Sequence, residues 1–155
     1  MQPGDTVPDF ELPDETGSPR RLSELLGHGP VVLFFYPAAM TAGCTKESCH
    51  FRDLAGEFAA AGAQLVGISA DPVDKQRAFA EKHSFGYPLL SDADKAVARQ
   101  LGVGRGLFGL SPLKRTTFVI DTDRRVLARI ASELKMDKHA DEALDVLRAR
   151  GGARA

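Results

Sequence analysis

The sequence predicts an α/β fold, with a mixed central β-sheet flanked by helices on both faces. Three observations predict it. The apolar run Val31-Val32-Leu33-Phe34-Phe35-Tyr36 starts after Gly29-Pro30 and stops at Pro37, the pattern of a strand buried on both faces. Helix-like stripes and further strand-like runs then alternate along the chain, and strand, helix, strand implies a parallel pair with a right-handed crossover. Near the end, Thr116 to Asp121 and Val126 to Ala131 flank a turn at Thr122 to Arg125, a hairpin that adds antiparallel edges.

The elements follow in order. Residues 1 to 28 are rich in turn formers, with a short hairpin around Asp9-Phe10-Glu11-Leu12 and a turn of helix near Leu22 to Leu26. After the buried strand, a long helix is expected from Gly43 to Ala61. Its residues Phe51, Leu54, Ala55 and Phe58 form one apolar stripe, and Gly62 ends it as a C-cap glycine. Gln64 to Ala70 is a second apolar strand. Asp71-Pro72 starts a helix to about His83, with Asp71 as N-cap and Pro72 at the first helical position. Pro88 to Leu90 reads as a short strand and Lys95 to Leu101 as a short helix. Gly102 to Pro112, with four glycines, reads as a loop. Ala140, Ala143, Leu144 and Leu147 mark a final helix, and the tail 151–155 is expected to fray. This order is thioredoxin-like. No repeat or linker divides the chain, so residues 1–155 are read as a single domain.

Composition narrows the function. A chain of 155 residues with 43 % apolar and 26 % charged residues buries a core without disulfide staples. A net charge of −1 and the lack of a basic patch argue against a nucleic-acid partner. The start Met1-Gln2-Pro3-Gly4-Asp5 has no signal-peptide pattern, and the longest apolar run is too short to span a bilayer. The expectation is a cytoplasmic protein with no membrane partner. In a reducing cytosol its two cysteines, Cys44 and Cys49, are more often catalytic or metal-binding than structural.

The segment Pro37 to Cys49 leaves the C-terminal end of the first buried strand, where open α/β sheets form ligand sites. Cys44 falls at the start of the following helix, whose unpaired amides and positive dipole end stabilise a thiolate. Thr41 can present its hydroxyl to the Cys44 sulfur or to a bound substrate. Pro37 would cover one side of the thiolate. On a regular helix, five residues separate Cys44 from Cys49 by about 7.5 Å and about 140°, too far for a disulfide without local unwinding.

Pro37-x-x-x-Thr41-x-x-Cys44 resembles the Pro-x-x-x-Thr/Ser-x-x-Cys signature of peroxiredoxins. Gly43-Cys44-Thr45-Lys46-Glu47 followed by Cys49 resembles the bacterioferritin comigratory protein, or peroxiredoxin Q, subgroup. The opening Gly4 to Phe10 and Arg115-Thr116-Thr117-Phe118-Val119-Ile120-Asp121 are similar too. Ala42 departs from the pattern, since many relatives carry Pro there. The resemblance implies a thiol peroxidase for hydrogen peroxide and organic hydroperoxides, recycled by thioredoxin, monomeric, and needing no cofactor or metal. It implies Cys44 as peroxidatic nucleophile and Cys49 as the residue that resolves its sulfenic acid into a disulfide. Thr41 would hydrogen-bond the peroxide, and Arg115 would favour the thiolate and polarise the peroxide. Glu47 would orient that arginine, unless it is simply a carboxylate favoured by the helix dipole.

Two rival readings have their own signals. Thiol-disulfide oxidoreductases share the fold but use Cys-x-x-Cys, and this chain has neither that spacing nor a Trp. A metal-binding module would draw on Cys44, Cys49 and His50, but no fourth ligand falls at zinc-like spacing. His28, His83 and His139 are scattered and read as ordinary surface or half-buried histidines. Leu107, Phe108 and Leu110 are candidates for an apolar mouth or for core anchors.

Overall fold

The computed structural model describes residues 1–104 and 113–154; Leu107, Phe108 and Leu110, and most of the glycine-rich loop, lie outside them. An N-terminal hairpin pairs β1 (Glu11–Pro13) with β2 (Pro19–Arg21). It leads into the short helix α1 (Leu22–Leu25) and a single 3-10 turn, Leu26–His28. Then come β3 (Val31–Phe35), α2 (Ala42–Asp53), α3 (Ala55–Ala60), β4 (Gln64–Ser69) and α4 (Val73–His83). The rest is β5 (Leu89–Ser91), α5 (Ala96–Gln100), β6 (Thr116–Ile120), β7 (Val126–Ala131) and α6 (Met136–Arg154).

The main sheet has the order β5-β4-β3-β6-β7. β3, β4 and β5 run parallel, while β6 and β7 are antiparallel additions beside β3. This is the mixed sheet that the sequence predicts. β3 lies at its centre, and its alternation feeds two cores. Val31, Leu33 and Phe35 pack with α1, α5 and the N-terminal residues Val7 and Phe10. Val32 and Phe34, with Tyr36 continuing the alternation, pack with Phe51 and Phe58, with Phe79 of α4, and with Ala140, Ala143, Leu144 and Leu147 of α6. Phe34 and Phe51 stack at 4.2 Å, which fixes α2 against the sheet.

Two local expectations are corrected. The predicted long helix is two helices, broken at Leu54 (φ −97°, ψ 7°); Gly56 in the next turn weakens helix propensity there. The second helix does end as expected. Gly62 (φ 78°) donates to Ala59 O and Ala63 donates to Phe58 O, a Schellman closure that favours glycine. At α4 the N-cap is Pro72, and the helix begins at Val73. Asp71 is free of the capping role because its carboxylate is bonded elsewhere. The final helix, α6, runs to Arg154.

Candidate active site

The antiparallel register explains how distant residues meet. Phe35 at the end of β3 pairs with Thr116 at the start of β6. The loop that leaves β3 at Tyr36-Pro37 therefore starts beside Arg115, the residue just before β6. A parallel β6 would place Arg115 at the opposite end of the sheet.

The loop is held from β4. Asp71 Oδ2 accepts hydrogen bonds from the Ala39 amide (2.7 Å) and from the Ser69 hydroxyl (2.6 Å). This pins the turn before α2. Met40 sits there at φ 70°, a left-handed conformation uncommon for its residue type. Thr41 is the N-cap by position, without a side-chain capping bond. Its hydroxyl donates to Ala38 O at 2.9 Å. It is exposed and turned to the loop, so reaching a substrate requires rotation of its side chain. Pro37 is half-buried beside the same loop.

Cys44 occupies the third helical position of α2 and is fully buried. The first turn of a helix leaves its amides without helical partners, so its positive end lies there. Arg115, 7 % exposed, donates from Nη1 to Cys44 Sγ at 3.4 Å. Gly43 leaves room for the guanidinium: a Cβ there would lie 3.2 Å from Arg115 Nη2 and press on it by a few tenths of an ångström. Cys49 is half-buried further along α2, and both cysteines are free thiols.

Glu47 points inward, one turn after Cys44, and is fully buried. Its Oε2 lies 3.7 Å from Arg115 Nη1 and 3.5 Å from His139 Nε2. A solvated helix carboxylate would show neither contact. Among the described residues neither Glu47 oxygen has a hydrogen-bond partner. Burial pushes its pKa up to about 8, although the Arg115 charge pulls the other way. His139, read from the sequence as a surface or half-buried histidine, is instead fully buried. Its Nε2 is 2.8 Å from Ser132 O and its Nδ1 is 2.8 Å from Thr117 Oγ1. A carbonyl only accepts, so Nε2 carries the proton and Nδ1 accepts from the threonine hydroxyl. Burial, with the neighbouring cations Arg115 and Lys138, lowers its pKa to about 4. At neutral pH the pair is thus a carboxylic acid beside a neutral imidazole.

This has a measurable consequence. Glu47 is raised from 4.5 to about 8 on folding, so its contribution to stability is lost as pH rises between those values. His139 is lowered from 6.5 to about 4, so its contribution is lost as pH falls below 6.5. The two slopes offset between 4.5 and 6.5. Above pH 6.5 only the Glu47 slope remains, on the order of 1 kcal/mol per pH unit. Urea midpoints are expected to fall more steeply between pH 6.5 and 8 in the wild type than in Glu47→Gln. An equal fall in both proteins would contradict the protonated state assigned to Glu47.

The AhpC/TSA family pattern matches residues 3–129. The chain belongs to the AhpC/TSA family. The crystal structure of peroxidoxin BcpB from Mycobacterium tuberculosis is 70% identical, covers 96% of this chain and 97% of that chain, and superposes with a TM-score of 0.91. Chloroplastic peroxiredoxin Q of Sedum lineare is 43% identical over 144 residues, which are 93% of this chain and 76% of that protein. The bacterioferritin comigratory protein of Xanthomonas campestris is 31% identical, with a TM-score of 0.83 and coverage of 97% and 96%. The fold is thus the thioredoxin-like fold of peroxiredoxins, and the subgroup is that of the bacterioferritin comigratory proteins. The protein is a peroxiredoxin, a thiol-dependent peroxidase with two cysteines. No helix among the described residues is long and apolar enough to cross a membrane. Nor does any group of three or more His, Cys, Asp or Glu among them form a candidate metal site.

Of the site residues that the sequence nominates, the structure places Arg115 against both Cys44 and Glu47. Thr41 and Pro37 stay in the neighbouring loop, and Cys49 lies further along α2. His139, Gly43, Asp71 and Thr117 were not nominated. For His139 a signal existed: it precedes Ala143 and Leu147 at four-residue spacing, on the stripe that faces the core.

Proposed function

We propose that this peroxiredoxin reduces hydrogen peroxide and organic hydroperoxides at Cys44, forms an intramolecular Cys44–Cys49 disulfide, and is recycled by thioredoxin. The observation that carries the reading is the Arg115 Nη1–Cys44 Sγ contact at the amino end of α2. The guanidinium and the helix end favour the thiolate, which attacks one peroxide oxygen. The O–O bond breaks, the leaving oxygen takes a proton, and Cys44 becomes a sulfenic acid. Arg115 stabilises negative charge developing on the peroxide oxygens. Glu47 limits where the guanidinium can sit, and a rotated Thr41 hydroxyl holds the peroxide, while Pro37 shields the sulfur.

Cys49 then attacks the Cys44 sulfenic sulfur: the S–S bond forms, the S–O bond breaks, and the hydroxyl leaves as water with the Cys49 proton. Both cysteines lie within α2, so their Cα atoms are roughly 8 to 9 Å apart by helix geometry. A disulfide needs less than about 7 Å and converging Cβ vectors. The amino-terminal turns of α2 therefore unwind to close the bond, which also exposes it to a reductant. Alkyl peroxide reduction by the bacterioferritin comigratory protein of Xanthomonas campestris supports organic hydroperoxides as substrates. The protein acts as a single-domain monomer in the cytoplasm. NADPH consumption with thioredoxin, thioredoxin reductase and a panel of peroxides tests the reading. Turnover on hydrogen and alkyl peroxides is expected. Turnover with another thiol donor but none with thioredoxin would reject the reductant assignment.

A further inference from the structure

We propose that His83 is the proton acceptor that activates Cys49 for attack on the Cys44 sulfenic acid. The inference rests on the resolving role given to Cys49 above. Cys44 has a guanidinium and a helix end to favour its thiolate. Cys49 lies two turns into α2, beyond the first turn in which the dipole acts. The thiolate is the attacking species, so the resolving step gains from a local base that can take the Cys49 proton.

The structure places one there. Cys49 Sγ is 3.9 Å from Nδ1 of His83, the last residue of α4. Catalytic hydrogen bonds are often this long before the reactive complex forms. The imidazole is held for the contact. It packs edge-on to Phe79 (5.5 Å, 83°) and stacks on Phe85 (5.4 Å, 24°). Arg52, on the same helix as Cys49, donates from Nη1 to His83 O at 2.7 Å. That bond ties the end of α4 to the carboxyl-terminal half of α2. His83 is half-buried, so its far edge can exchange a proton with solvent.

The balance is complete without another reagent. His83 Nδ1 takes the Cys49 proton in the tautomer whose other ring proton sits on Nε2. The thiolate attacks the Cys44 sulfur, the S–S bond forms and the S–O bond breaks. The departing hydroxide takes a proton from the imidazolium and leaves as water. The contact also sets the direction of motion. Cys49 stays seated against His83 while the first turns of α2 unwind and bring the Cys44 sulfur to it.

Rapid-quench oxidation with mass readout separates the two steps. Dimedone trapping reports sulfenic acid on Cys44, and peptide mapping reports the disulfide. In His83→Ala and His83→Gln, sulfenic acid is expected to form at the wild-type rate within about twofold, while disulfide formation slows by about ten- to a hundredfold. Added imidazole is expected to restore much of the rate in His83→Ala. The longer-lived sulfenic acid should also convert to sulfinic acid at lower peroxide. Disulfide formation at the wild-type rate in both variants overturns the proposal, and so does slow formation in His83→Ala that imidazole leaves unchanged. If His83→Ala does not fold, His83→Gln decides by the same two rates. Absence of a Cys44–Cys49 bond in the wild type overturns both this proposal and the resolving role. A wild-type bond with unaffected variants overturns this one alone.

Discussion

Cys44→Ser is expected to lower peroxidase turnover by on the order of 10³-fold or more, with the fold retained. A hydroxyl is a far weaker nucleophile than a thiolate at neutral pH, and neither a guanidinium nor a helix end closes that gap. The substitution is close to isosteric, and the new hydroxyl lies where Arg115 Nη1 already reaches the sulfur at 3.4 Å. The buried oxygen therefore keeps a donor and costs about 1 kcal/mol of stability. Circular dichroism and a thermal melt should match the wild type to within a few degrees. Retained turnover in a folded Cys44→Ser protein would remove Cys44 from the centre of the reaction.

Arg115→Ala is expected to slow peroxide attack by about 10²- to 10³-fold, the size seen when one preorganised charge donor is removed from a reacting centre. Arg115→Lys should recover only part, because an ammonium cannot hold the sulfur and a peroxide oxygen with the fixed fork of a guanidinium. Removing one member of a buried ion pair usually destabilises a fold by leaving the other charge unpaired. Here burial already keeps Glu47 protonated at neutral pH, with its pKa at about 8. Arg115→Ala therefore leaves a neutral acid, and the variant should fold. The main-chain bond from Arg115 N to Glu133 Oε1 (3.1 Å) does not depend on the side chain and survives. Stopped-flow oxidation of reduced protein measures the effect. An unchanged rate would reduce the Cys44 contact to a structural one.

Much of this was legible before the fold, and the reasons differ by residue. β3 announces itself because a strand buried on both faces needs an unbroken apolar run. Cys44 is legible because a strand end, a helix start and a second cysteine coincide there. Arg115 was legible only through the family resemblance: a lone arginine before a strand looks like a surface charge. Its meeting with Cys44, 71 residues away in sequence, depends on β6 running antiparallel to β3. His139 was passed over as scattered, since its partner Glu47 lies on another helix and only the packing of α6 on α2 joins them. Asp71 has the residue type of an N-cap, yet it bonds Ser69 and the Ala39 amide. Helix boundaries suggested one role, and the tertiary loop took the carboxylate for another. The break at Leu54 escaped because the apolar stripe from Phe51 to Phe58 keeps its spacing across it.

The proposed mechanism alternates between a buried Cys44 in a folded α2 and a Cys44–Cys49 disulfide in a locally unwound one. Hydrogen exchange, read by mass spectrometry before and after one equivalent of hydrogen peroxide, tests it most directly. Peptides covering residues 44–52 should be protected in the reduced protein, lose that protection once the Cys44–Cys49 bond forms, and regain it on reduction. The strands β3, β4 and β6 should stay protected throughout. Equal protection of residues 44–52 in the reduced and oxidised proteins would contradict the account.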